Sequence, residues 1–248
     1  MEVKGLIAAF IDVPQEHTEP YNTWYDFDHL PEYVGLPGFL TARRYVATPD
    51  CKAARPPAGL EELDKGQGTY FTTYLLGTAD IAQVMADFKE MSAYLRREKR
   101  IFRHGRVIDV GFYKTEHIAA RDDIPVHTAA VPFLGHRGVM AVLTNVPDPS
   151  KRDVVNEWFR EAHAPDLTAV PGIVNAMRFS RFDKPELGRY LNLYMLDGDP
   201  AQVVAGVQAA RESWIKKGTS PSPDGASKPL FNSPYKFIHP TEYSFKIE

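Results

Sequence analysis

One stretch of this chain occurs twice. Residues 24–45 read W-Y-D-F-D-H-L-P-E-Y-V-G-L-P-G-F-L-T-A-R-R-Y, and residues 158–179 read W-F-R-E-A-H-A-P-D-L-T-A-V-P-G-I-V-N-A-M-R-F. Both fit W-x4-H-x-P-x5-P-G-x3-A-x-R followed by an aromatic residue. The matched pairs are Trp24/Trp158, His29/His163, Pro31/Pro165, Pro37/Pro171, Gly38/Gly172, Ala42/Ala176 and Arg44/Arg178. Seven identities at fixed spacing, without a gap, mark an internal duplication, and a duplication constrains the fold before any single element does. The 248 residues then divide into a first repeat over 1–117, a linker over 118–135 and a second repeat over 136–248.

Each repeat carries the same order of elements. Residues 4–13 (KGLIAAFIDV) form a short run of branched apolar residues, which predicts a strand buried on both faces. Thr18-Glu19-Pro20 supplies a helix start. The first helix is expected to kink or end near His29-Leu30, because Pro31 removes an amide donor from its interior. Leu36-Pro37-Gly38 reads as a turn, residues 39–48 as the second strand, and residues 49–68 as a long loop. A third strand over 69–76, a second helix over 79–100 capped by Thr78, and a fourth strand over 106–114 complete β-α-β-β-α-β, the split βαβ or ferredoxin-like unit.

The second repeat restates this order. Its strands are expected over 138–146, 173–182 and 189–196, its helices over 153–169 and 200–215, and a loop over 217–234. Residues 235–246 supply a last strand or strand pair, broken by Pro240. Strands apolar on both faces need cover on both sides. The economical arrangement is an α+β fold in which the two four-stranded sheets face one another in a barrel-like core, with helices outside.

Composition narrows the partners. A net charge of −3 does not suit a nucleic-acid surface, and the basic run from Arg96 to Arg100 is the pattern of a solvated helix C-terminus. Cys51 is the single cysteine, so no intrachain disulfide forms. No apolar run approaches a membrane span, and a cytoplasmic protein without membrane or nucleic-acid partners is expected. Neither metal-binding nor nucleotide-binding motifs occur.

The stretches 157–173 and 23–39 resemble the first-helix signature of the EthD-like branch of the dimeric α+β-barrel superfamily: an aromatic pair, His-x-Pro and a following Pro-Gly. The resemblance implies two ferredoxin-like units joined as a barrel, with a pocket between sheet and helices. It also implies a range of activities on small, often aromatic compounds, among them cofactor-independent isomerases, dehydratases, decarboxylases, cyclases and monooxygenases. Some tandem members bind haem. Fold alone does not choose among them.

Residue chemistry gives two readings for each candidate. His29 can move protons near neutrality, and Tyr25, four positions earlier, shares its helix face and can serve an enol or carbonyl oxygen. Alternatively, a histidine ahead of a helix-breaking proline satisfies carbonyls freed by the kink, a reading strengthened by His163 in the second copy. Tyr25, Asp28, Tyr33, Arg43 and Tyr45 are replaced in the second copy by Phe159, Ala162, Leu167, Met177 and Phe179, so the first repeat is the expected seat of chemistry. Arg44 and Arg178 either anchor a substrate carboxylate or pair internally. Asp28 is a candidate to orient a neighbouring cation. Trp24, Tyr33, Tyr70, Tyr74, His163 and Arg178 complete the candidate lining, with core packing the plainer role for the tryptophans and tyrosines. The resulting expectation is an enzyme without cofactor, a lyase or isomerase of small aromatic metabolism, with His29, Tyr25, Asp28 and Arg44 as its working residues. A haem enzyme and a non-catalytic binding barrel are the alternatives. The sequence leaves a homodimer of the whole chain open.

Overall fold

The structure, a computed structural model, describes residues 2–57, 63 and 66–248. In chain order the first repeat contains β1 (Gly5–Asp12), α1 (Thr18–Trp24), α2 (Leu30–Val34), β2 (Phe39–Val46), α3 (Pro49–Ala53), β3 (Tyr70–Leu76), α4 (Ile81–Arg97) and β4 (Arg106–Ala120). The second contains β5 (Gly138–Asn145), α5 (Arg152–Trp158), α6 (Ala164–Thr168), β6 (Asn175–Arg181), β7 (Arg189–Leu196), α7 (Pro200–Lys217) and β8 (Lys228–Phe237).

All eight strands close into one antiparallel barrel in the order β1-β3-β2-β8-β5-β7-β6-β4. Within each repeat the sheet runs fourth-first-third-second. The repeats are joined at both edges by the same device, the fourth strand of one pairing with the second of the other: β4 with β6, and β8 with β2. The β4–β6 seam is paired over most of its length, whereas β8 meets β2 only at Tyr45–Phe237 and Val46–Lys236.

Alternation along the strands explains their double-sided apolarity. One face of each strand, including Leu6, Phe10, Phe71, Val139, Leu143, Met177, Leu191 and Tyr235, fills the barrel interior. The other face meets helices. Ile7, Tyr74 and Leu76 pack under α4 with Val84 and Leu95, and Tyr194 and Leu196 pack under α7 with Val203 and Trp214.

Several sequence expectations change in detail. The second helix of the first repeat begins two residues later than expected: Asp80, not Thr78, caps it, accepting from Gln83 N at 3.0 Å. β4 continues through Ala120, into residues read as linker, because β6 supplies it a partner as far as Asn175. The expected loop over 49–68 holds the short helix α3, with Cys51 buried; residues 58–62 and 64–65 of it lie outside the described residues. The last strand runs over Lys228–Phe237 rather than 235–246. Pro229 and Pro234 argue against a strand there. They are tolerated because β8 pairs along that length with β5 alone, its pairing with β2 starting at Lys236. Residues 239–248 instead cross the first repeat, where Ile247 is buried and its amide donates to Gln15 Oε1 at 2.9 Å.

The largest departure is at the duplicated His-x-Pro. Neither Pro31 nor Pro165 ends its helix. A π-helical turn, Tyr25–His29 in one repeat and Phe159–His163 in the other, joins α1 to α2 and α5 to α6. The amide of Leu30 donates to Tyr25 O and that of Ala164 to Phe159 O, five residues back. The wider turn relieves the clash between a proline ring and the carbonyl four residues earlier, so the helix continues. The following Pro-Gly ends it: Gly38 and Gly172 have φ of 86° and 94°. At Gly172 a β-carbon would also lie 2.5 Å from Val203 Cγ2, so close helix packing excludes a side chain there as well.

Candidate functional site

Four rings stand every fourth residue along the first helix: Tyr21, Tyr25, His29 and Tyr33. Their neighbouring centroids are 5.5, 4.8 and 4.8 Å apart. In an uninterrupted α-helix a step of four residues overshoots the 3.6-residue turn, and the rings would wind off the face. The π turn absorbs that drift at its middle and keeps all four facing the sheet.

This face roofs a cavity of about 280 Å³ between the first repeat's sheet and its helices. Ala9, Ile11, Tyr74 and Val110 form the floor. Phe88, Ser92 and Arg96 of α4 form one wall, and Ile101, Phe102, Gly105 and Val107 another. Arg96 and Val107 are exposed and stand at its rim. The lining is aromatic and apolar, with a few converging polar atoms, the usual make-up of a small-molecule site.

Those polar atoms divide into satisfied and unsatisfied ones. Tyr25 Oη and Tyr74 Oη share a hydrogen bond of 3.0 Å. Ser92 Oγ donates to Phe88 O at 2.8 Å, so Tyr33 Oη is the donor in its 2.7 Å bond to Ser92. Tyr21 Oη and His29 Nδ1 are both buried and have no hydrogen-bond partner. Both residues line the cavity, and an unpartnered buried group can take up a ligand's polar atom; the same nitrogen of His163 is also unpartnered.

Burial pushes the His29 imidazole down to about 4; Asp28 pulls it back up and Arg44 pushes it further down. His29 is therefore neutral at pH 7 and can accept a proton. Burial pushes the Tyr21 hydroxyl far up, helped by Tyr25 and opposed by Arg44, so it stays protonated and can only donate or accept as a phenol.

The structure brings together five of the residues singled out in the sequence: Trp24, Tyr25, His29, Tyr33 and Tyr74 line the cavity. Tyr70 lies beside it, its hydroxyl 3.3 Å from Asn22 Nδ2. Arg44 lies behind the helix, and its donors are taken: Nη1 binds Asp26 Oδ1 at 2.7 Å and Nη2 binds Asn22 Oδ1 at 2.5 Å, while Tyr25 stacks 4.3 Å from its guanidinium carbon. The internally paired reading of Arg44 replaces the substrate anchor. Burial opposes the Arg44 charge, but Tyr21 and Asp26 outweigh it and raise its pKa. Asp28 faces away from the cavity, in a forked pair with Arg100 (Nη2 to Oδ1, 2.6 Å) that Glu32 joins. Arg43 reaches Leu134 O and His136 Nδ1 near the barrel mouth. His29 does not bind the carbonyls freed by Pro31, because its Nδ1 has no partner.

The equivalent space in the second repeat is filled. Tyr21, Tyr25 and Tyr33 are replaced by Val155, Phe159 and Leu167, and Trp214 of α7 reaches within 6.3 Å of the His163 ring. His163 stacks on Trp158 at 4.5 Å as His29 does on Trp24 at 4.4 Å, and burial lowers its pKa to about 4. Both indole N–H groups tie helix to loop, Trp24 to Arg100 O and Trp158 to Thr219 O.

Two features escaped the sequence reading although their signals were present. Tyr21 continues the every-fourth pattern one step before Tyr25. Asn22 and Asn156 extend the repeated template to N-x-W and hold the repeated arginines, Asn156 Oδ1 accepting from Arg178 Nε at 2.8 Å. Ser92, Phe102 and Gly105 sit in no motif and join the site only through the fold.

Among the described residues no group of three or more histidine, cysteine, aspartate or glutamate side chains could hold a metal ion, and no helix is long and apolar enough to cross a membrane. A haem does not fit the cavity. Its 280 Å³ falls below the roughly 300–1,000 Å³ typical for drug-sized ligands, and the His29 ring is enclosed by Trp24, Tyr25 and Tyr33 at 4.4–4.8 Å. His163 is enclosed by Trp158, Phe159 and Trp214.

No family model matches the chain, and no curated protein matches it in sequence. Solved structures do. An anthrone oxidase-like protein superposes with a TM-score of 0.56 at 10% identity, over 96% of this chain and 92% of that one. A dye-decolorizing peroxidase from Bacteroides thetaiotaomicron gives 0.55 at 8% identity, over 96% and 93%. A chlorite dismutase from Candidatus Nitrospira defluvii gives 0.50 at 10% identity, over 98% and 94%. At these identities the likeness is one of fold. The chain has the ferredoxin-like dimeric α+β-barrel architecture, built here from two repeats on one polypeptide.

Proposed function

We propose that this protein is a cofactor-independent enzyme of the EthD-like kind that transfers protons on a small, flat aromatic compound held in the first-repeat cavity, as a lyase or isomerase. The observation that carries the reading is one aromatic cavity lined by both His29 and Tyr21, whose Nδ1 and hydroxyl have no internal partner, whereas His163, with an equally unpartnered Nδ1, is packed against Trp158 and Phe159 with Trp214 close by.

In this reading, His29 takes a proton from a carbon or hydroxyl activated by a neighbouring carbonyl. The Tyr21 hydroxyl donates to the oxygen on which negative charge develops, replacing Tyr25, whose hydroxyl is engaged with Tyr74. An imidazole buried to a pKa of about 4 is a weak base in the empty cavity. An enolate or phenolate forming beside it stabilises the imidazolium and draws that value upward, so proton transfer and charge development support each other. Trp24, Tyr33 and Phe88 sandwich a ring-shaped substrate and exclude water. Arg44 acts by positioning: clamped to Asn22 and Asp26, it fixes Tyr25 and Tyr21 from behind.

Solvent deuterium exchange tests this without knowing the natural substrate. Aryl ketones and hydroxyaryl ketones are incubated in deuterated water with protein, and exchange next to the carbonyl is followed by NMR. The wild type and His163→Ala should catalyse exchange on at least one compound, and His29→Ala should not. Exchange equal in His29→Ala and wild type, or none on any compound, overturns the assignment.

A further inference from the structure

The second repeat has lost its cavity but has an opening of another kind. Arg178 is 1% exposed, and its guanidinium lies on the Tyr190 ring at 3.9 Å. Nε donates to Asn156 Oδ1 at 2.8 Å and Nη1 to Asn192 Oδ1 at 2.9 Å, while Nη2 is buried without a partner. Nε and Nη2 form one edge of the guanidinium fork, so the idle donor sits on the edge that faces Asn156 on α5.

In the first repeat the matching arginine has a counter-ion and uses a different pair of donors, Nη1 for Asp26 and Nη2 for Asn22. There Asp26, four residues after Asn22, gives its carboxylate to Arg44, and the tail covers the pair, Tyr243 Oη donating to Asp26 Oδ2 at 2.7 Å. The residue in the corresponding place in the second repeat is Arg160, which turns to Glu161 at 2.7 Å. Among the described residues no carboxylate reaches Arg178, whose Nη1 is taken by Asn192, and Arg178 and Asn156 border a hollow of about 400 Å³ lined also by Glu116, His117, Asp153, Glu157 and Arg160. The consequence appears in the charge balance: the Arg44 pKa is raised, whereas burial lowers that of Arg178 to about 10 against the pull of Tyr190, Tyr194 and Glu116.

We propose that this hollow is a binding site for a small molecule's carboxylate, which accepts from the idle Nη2 of Arg178 and supplies the counter-ion that Asp26 gives Arg44. The three acidic side chains at its wall add a selection. They repel a simple anion and hold a positive charge, so the preferred ligand carries an ammonium group beside its carboxylate, as a free amino acid does. The site is independent of the proton-transfer reading of the first repeat.

Isothermal titration of the full chain with glycine, acetate and ethylammonium at low ionic strength, together with the side-chain nitrogen NMR signals of Arg178, tests it. Glycine should bind saturably and shift the Arg178 signals, acetate should bind at least tenfold more weakly, and ethylammonium should leave Arg178 unmoved. Arg160→Asp, a change at an exposed position, restores the carboxylate of the first repeat and should abolish glycine binding with the fold intact. Acetate binding as tightly as glycine removes the selection by charge. Absence of glycine binding, or its persistence in Arg160→Asp, overturns the site; so does an Arg178 signal already moved by Glu116→Gln or Glu157→Gln, since an internal carboxylate then occupies it.

Discussion

The same helix–turn–strand corner is built twice in this molecule, and among the described residues only the first copy has an aromatic cavity lined by its repeated histidine. Both copies share the π turn ahead of the proline, the Trp–His stack, the indole tie to the loop after the second helix, and the asparagine–arginine clamp. Those shared parts hold the corner. The copies differ in what fills it: hydroxyl-bearing rings around a 280 Å³ cavity in the first, Phe159, Leu167 and Trp214 in the second. They differ also behind the helix, where Arg44 has a carboxylate and Arg178 has none. The repeated histidine is therefore placed by architecture, and its surroundings decide whether it has a reaction to serve.

The sharpest way to break this comparison is to delete each histidine in turn. His29→Ala should lower the exchange or turnover rate by about 10²–10⁴-fold, the usual worth of a general acid–base. His163→Ala should leave the rate per folded molecule unchanged while lowering stability by about 1–3 kcal/mol. Equal losses of rate in the two variants would make the repeats functionally alike.

Removing a carboxylate probes the clamp. Asp26→Ala leaves Arg44 buried without its counter-ion and should cost about 3–5 kcal/mol in denaturant unfolding. The chemically parallel change in the second repeat, Arg160→Ala, removes only an exposed pair with Glu161 and should cost less than about 1 kcal/mol. Similar costs for both would mean that Arg44 is not held as described.

Titration separates folding from function. His29 and His163 have folded pKa values of about 4, below the unfolded value of about 6.5. The unfolded chain thus binds more protons between those values. Stability should be full above pH 6.5 and fall as pH drops toward 4, by up to about 3 kcal/mol per fully buried histidine. Activity should persist at pH 5 and fall as pH approaches 4; an acid limb centred near 6.5 would show that His29 is not buried as a neutral group. A smaller effect, about 2 kcal/mol, is expected for Trp214→Leu, which vacates space beside His163. Wild-type stability in that variant would mean that Trp214 does not fill the second repeat.

The fold was legible because a duplication is read by identity and spacing rather than by propensity, and because strands apolar on both faces require cover on both sides. The closure itself, β4 on β6 and β8 on β2, leaves no local mark. β8 was misplaced because Pro229 and Pro234 mask a strand paired mainly on one side. At the site, Tyr25 and Tyr33 were legible as polar replacements within a repeat, and His29 as one of its shared residues. Tyr21 was not, since the every-fourth pattern only makes one face once the π turn is known. Arg44 was overvalued: its partner Asp26 sits where the second repeat has Arg160, a contrast that reads as surface variation until the buried guanidinium is seen beside it.

The most direct test of the central claim is a naphthol titration of protein with isotope-labelled histidine side chains, followed by NMR. The account predicts that the His29 ring signals move saturably while those of His163 stay fixed. Movement at His163, or none at His29, would contradict it.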